Sequence, residues 1–142
     1  MFPDILPEIA IAFSLVLLAH LIGDYLFQTQ WMADNKTSRW SPAIWHGITY
    51  TIPFLVITLS IPALLVICLT HIIIDRFRLA KYVVWFKNQL VPVKDRYGWD
   101  SETNDKVSGY PKRVPAWMSV WLMIIADNTL HLIIGVIAVV WL

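Results

Sequence analysis

The chain has 142 residues, of which 58% are hydrophobic and 15% charged, and its formal net charge is +1. With eight tryptophans and a mean hydropathy of +0.61, this is not the profile of a soluble domain. The single cysteine, Cys68, excludes an internal disulfide and reads as a small apolar filler.

The first apolar segment, Ile5–Phe27, is long enough to cross a bilayer, which takes about 20 apolar residues. It lacks the basic start and small-residue cleavage site of a signal peptide, so it is expected to be retained. The second segment, Ala43–Ser60, carries Pro53, which should kink it; membrane helices tolerate this where neighbours re-satisfy the backbone. Pro62 marks a tight hairpin into the third segment, Ile61–Ala80. Residues 76–90 mix cations with aromatics and read as that helix emerging among lipid headgroups. Residues 91–115 are polar and contain Pro92, Gly98, Gly109, Pro111 and Pro115. They predict a cytoplasmic loop long enough to act as a flap or docking surface. The fourth apolar segment is Ala116–Leu142. Together these elements predict an all-α fold, an integral membrane four-helix bundle forming one domain over residues 1–142.

All eleven Lys and Arg lie in or beside the two loops at 28–42 and 81–115: Lys36 and Arg39 in the first, nine from Arg76 to Arg113 in the second. The positive-inside rule then puts both loops in the cytoplasm and both termini outside.

Three of the four histidines stand four residues from an aspartate: His20/Asp24, His71/Asp75 and Asp127/His131. Four residues is a little over one helical turn, so each pair shares a helix face. A central aspartate in a membrane helix costs roughly 2.5–3.5 kcal/mol, and something must offset that cost. The fourth helix runs opposite to the first and third, and its order is reversed, which preserves depth. The pairs thus predict a histidine layer and an aspartate layer about 6 Å apart along the bundle axis. His46 lies near the cytoplasmic end of the second helix, with Tyr50 one turn deeper. Four helices converging polar groups at similar depth is how bundles build metal sites.

The candidate metal ligands are His20, His46, His71 and His131, with Asp24, Asp75 and Asp127 as carboxylates that ligate or take a proton. Imidazole with carboxylate suits zinc, manganese or iron. Seven donors exceed one tetrahedral ion, so either two metals bind or some groups orient the others. Gln28 continues the Asp24 face and Tyr50 neighbours His46; both are candidate substrate contacts. Arg76 and Arg78 lie just cytoplasmic of Asp75 and match an anionic headgroup.

The block from His20 to Lys36, His-Leu-Ile-Gly-Asp-Tyr-Leu-Phe-Gln-Thr-Gln-Trp-Met-Ala-Asp-Asn-Lys, resembles the small bacterial and phage membrane proteins grouped as domain of unknown function 3307. The similarity extends to His46-Gly47 with Tyr50, to His71 through Asp75, and to Asp127 with His131. It implies a multi-pass protein of the bacterial inner membrane and supplies no activity. The expected function is metal-dependent hydrolysis of a lipid-linked or membrane-proximal substrate at the cytoplasmic side. Metal or proton transport is the alternative, with a non-enzymatic membrane adaptor built on a structural polar core behind it. Membrane lipids are the expected partners, an anionic substrate fits the arginines, and no nucleic acid is expected.

Overall fold

The computed structural model describes the backbone of residues 2–100 and 102–142. The described residues are all-helical, apart from an isolated antiparallel bridge between Asn104 and Pro111. Helix α1 (Phe2–Leu21) runs into a π-helical turn at Ile22–Leu26. Short α2 (Gln30–Asn35) follows, its first turn capped by Thr29, whose hydroxyl accepts from the Met32 N–H at 3.3 Å. Next come α3 (Trp40–Thr51), α4 (Ile61–Phe77), α5 (Ala80–Lys87) and α6 (Ala116–Trp141).

Two of these stretches, Ile5–Leu26 and Ala116–Trp141, are long and apolar enough to cross a membrane. The second expected span is divided. The chain tightens from α3 into a 3-10 turn at Ile52–Val56, with Pro53 near its start. Proline has no N–H for the helical ladder, so the backbone departs from α-geometry where the kink is expected. Helix α4 has 17 residues, a few fewer than the expected third span.

The chain packs as two compact units. One comprises the chain up to Phe77 together with His131–Leu142. Its apolar core is Val16, Ala19, Tyr50, Phe54, Ala63, Ile67 and Ala138. Two glycines set the helix spacing. A Cβ on Gly47 would meet Ile72 Cγ1 at 2.2 Å, so α3 and α4 touch there without a side chain between them. A Cβ on Gly23 would lie 2.6 Å from Tyr50 Cδ2 and 3.0 Å from the Tyr50 carbonyl, so the π-turn rests directly on α3. The Arg76 guanidinium donates to the carbonyls of Thr37 and Ser38 and lies over the Trp40 ring at 5.3 Å. It ties the end of α4 to the start of α3.

The other unit is Arg78–Leu130. Its segment 91–115 folds back on α5 as a small aromatic and hydrogen-bonded cap. Trp99 stacks on Tyr82 with ring centres 5.0 Å apart and meets Trp85 edge-on at 5.6 Å. The Tyr97 hydroxyl donates to the Gly109 carbonyl at 2.8 Å. Thr103, through its backbone N–H and then its hydroxyl, holds the Asp100 carboxyl below the ordinary carboxylate range.

Candidate metal centre

Helix periodicity fixes only which residues share a face; bringing the faces together depends on α1, α3 and α4. The π-turn carries Asp24, and the close approach of Gly23 to Tyr50 brings that carboxylate against α3. Such turns widen a helix locally and are frequent at functional sites. Gly47 follows His46, so the α3–α4 contact that needs a missing Cβ also sets His46 beside His71.

Four donor atoms converge. His46 Nε2 lies 3.0 Å from His71 Nε2, 3.2 Å from Asp24 Oδ1 and 3.1 Å from Asp75 Oδ2. His71 Nε2 lies 3.3 Å from Asp24 Oδ1 and 3.2 Å from Asp75 Oδ2. All four groups stand within 4.8 Å of one another. A ring nitrogen offers one proton or one lone pair, so His46 Nε2 cannot satisfy three such neighbours by hydrogen bonds. A tetrahedral ion at about 2.0–2.1 Å from four ligands would separate those ligands by about 3.3–3.4 Å. The observed edges match that spacing closely, and the group could hold a metal ion.

Burial sharpens the case. All four histidines and Asp75 are buried. His46 Nδ1 and His71 Nδ1 have no hydrogen-bond partner among the described residues, so the polar contacts of both rings run through Nε2. The buried Asp75 and the half-buried Asp24 need compensating positive charge.

Around this core lies an outer ring of contacts. The Tyr50 ring stacks on His71 with centres 3.5 Å apart and planes 10° from parallel. The Tyr50 hydroxyl meets His20 Nδ1 at 3.0 Å, and His20 Nε2 faces Asp24 Oδ2 at 3.6 Å. His131 Nε2 faces Asp75 Oδ1 at 3.5 Å, and its ring centre is 4.3 Å from that of His71. Tyr50, His20 and His131 therefore flank the carboxylates and rings that form the core.

Arg76 is engaged with the loop carbonyls of Thr37 and Ser38. Arg78 and Asp127 belong to the second unit, Arg78 with an unusual positive φ of 50°. Gln28 accepts from Lys36 Nζ at 2.6 Å.

That lysine is the residue sequence reading missed. Lys36 Nζ also donates to Asp75 Oδ2 at 2.7 Å and stands 3.2 Å from His46 Nε2. In the sequence it counts as one of the topology-setting cations. Its place at the end of the distinctive 20–36 block was the available signal.

Among known proteins, neither the curated proteins nor the solved structures give a match to this chain. A family model described as "Protein of unknown function (DUF3307)" matches residues 12–142, which include every donor of the cluster. The chain belongs to that family.

Proposed function

We propose that this is a multi-pass membrane protein with a divalent-metal centre formed by His46, His71, Asp24 and Asp75, which hydrolyses a lipid-linked or membrane-proximal substrate. The observation that carries the reading is the set of five donor separations between 3.0 and 3.3 Å. Hydrogen bonding alone does not account for them, and a bound ion would.

The membrane part rests on the apolar exterior. Four histidines and Asp75 are buried together with the apolar core, whereas Leu15, Leu18, Leu65, Leu69, Ile133 and Ile137 are exposed. Only 22% and 17% of the most apolar windows of the two long helices are buried. A core helix of a soluble protein would be mostly covered. Lipid is the environment in which such an exterior is favourable. The shorter α3 and α4 are accommodated by local thinning of the bilayer.

A divalent ion held by His46, His71, Asp24 and Asp75 would supply a water of lowered pKa and Lewis acidity for hydrolysis. Asp24 is the more open of the two carboxylates, its side chain 11% exposed against 4% for Asp75. It is the better placed to exchange a proton with solvent. With these four donors, an ion of higher coordination number such as manganese or iron would still have room for water.

Transport is the second reading, because four protein donors would complete a tetrahedral zinc shell and leave no position for the water that hydrolysis needs. The test uses full-length protein purified in detergent with added zinc or manganese. Metal per chain is measured by mass spectrometry for wild type, His71→Ala and Asp75→Ala, beside a phosphoester and carboxyester hydrolysis screen. Hydrolysis is expected to require metal and to vanish in both variants. Metal bound with no hydrolysis, but with metal flux into vesicles, would transfer the assignment to transport. Equal metal in wild type and His71→Ala would remove the metal centre.

A further inference from the structure

We propose, building on the metal centre above, that Lys36 is an anion-binding residue coupled to the metal: a divalent ion displaces its ammonium from Asp75, and the freed charge then binds a phosphate oxyanion.

The argument starts from one shared oxygen. Asp75 Oδ2 accepts from Lys36 Nζ at 2.7 Å, and it is also one of the four converging donors. Two cations therefore compete for it. A divalent ion on that oxygen would stand within a few ångströms of the ammonium, and in a buried setting that repulsion is large. The lysine must yield, and its flexible four-carbon stem lets it do so with little rearrangement.

Charge then decides what comes next. With neutral imidazoles, a divalent ion cancels Asp24 and Asp75, and the charge of Lys36 is left over. The four donors, the ion and Lys36 together carry one net positive charge. Lys36 is also where the centre opens outward. Its side chain is 19% exposed, against 11% for Asp24, 4% for Asp75, 1% for His71 and 0% for His46. An anion entering there meets Lys36 first and the ion behind it. Gln28, now accepting from Lys36 at 2.6 Å, carries an NH2 donor on the same amide for a second contact. A compact ammonium beside a divalent ion is a common phosphate-binding pairing, because the oxyanion bridges both charges with separate oxygens.

The coupling makes the proposal distinct from a simple cationic patch. Phosphate and metal should bind with positive cooperativity, each strengthening the other by the same factor. A patch of loose lysines would bind phosphate without metal.

The experiment is titration calorimetry on the full-length protein in micelles, with wild type, Lys36→Gln and Lys36→Arg, using manganese alone and then inorganic phosphate with and without manganese. Lys36→Gln is expected to bind manganese at least as tightly as wild type, because a competing cation is gone. Its phosphate affinity in the manganese-loaded form should fall about tenfold to a hundredfold, the loss expected for a charged hydrogen bond. Lys36→Arg keeps the charge and should retain most of the affinity, which separates lost charge from lost folding. A second arm replaces free phosphate with phosphatidylcholine vesicles containing phosphatidic acid. Metal-dependent binding to either phosphate source supports the proposal and identifies the source; binding to neither overturns it. Phosphate affinity unchanged in Lys36→Gln, or unchanged by manganese in wild type, also overturns it while leaving the metal centre intact. No manganese or zinc bound by wild type would take down the metal centre and this inference together.

Discussion

At the scale of single residues, His71 and Tyr50 separate two kinds of contribution. His71 Nε2 is a converging donor, whereas the Tyr50 hydroxyl meets His20 Nδ1, and His20 in turn faces Asp24. His71→Ala should therefore lose metal outright. Tyr50→Phe keeps the ring stacked on His71 and loses only the hydroxyl, so its metal affinity should fall by about 10–100-fold, the range for outer-shell changes. Competition titration with a chromophoric chelator distinguishes the two. Equal losses would mean that Tyr50 acts through folding. Occupancy in wild type should also fall on acidification, because neutral imidazole is the ligand and protons compete with the ion.

At the scale of elements, the centre depends on how closely three helices approach. Gly47 lies at the α3–α4 contact, where an added methyl would meet Ile72 Cγ1 at 2.2 Å. Gly47→Ala should destabilise the protein by about 1–3 kcal/mol, the usual cost of overpacking, and weaken metal binding by moving His46 from His71. Adding Ile72→Ala, which removes Cγ1, relieves the clash, so the double variant should cost less stability than the two single changes summed. Gly23 differs, because its added methyl would meet the Tyr50 backbone carbonyl at 3.0 Å and Cα at 3.1 Å. Backbone cannot be trimmed away, so no single side-chain truncation should rescue Gly23→Ala. Thermal unfolding in detergent, with metal content measured on the same samples, checks both pairs. Additive effects for Gly47→Ala with Ile72→Ala would show that the contact is not the cause.

At the scale of the whole molecule, all eleven cations fall in or beside two loops. If the protein is inserted as the proposed function requires, both loops face the cytoplasm and both termini face outward. Reporter fusions after Leu142 and at Gly98 should then give opposite signals, external and cytoplasmic. A cytoplasmic signal from Leu142 would overturn the orientation and the cytoplasmic access of the centre.

The helical class, the two long apolar helices and the family were legible in the chain by itself. Apolar run length and four-residue spacing are local properties, and a helix translates them directly into length and face. The same spacing marked His20 with Asp24 and His71 with Asp75 as pairs before any packing was known. Local pattern could not choose among seven donors. That choice depends on which helices meet and in what register, and Gly23 and Gly47 set it through contacts between residues far apart in sequence. Nor could it foresee that Arg76 would be occupied by backbone carbonyls while Lys36 reached Asp75, 39 residues away. A cation's partner is fixed by distance in space, and only the tertiary structure brings the Lys36 side chain, just after α2, to Asp75 on α4.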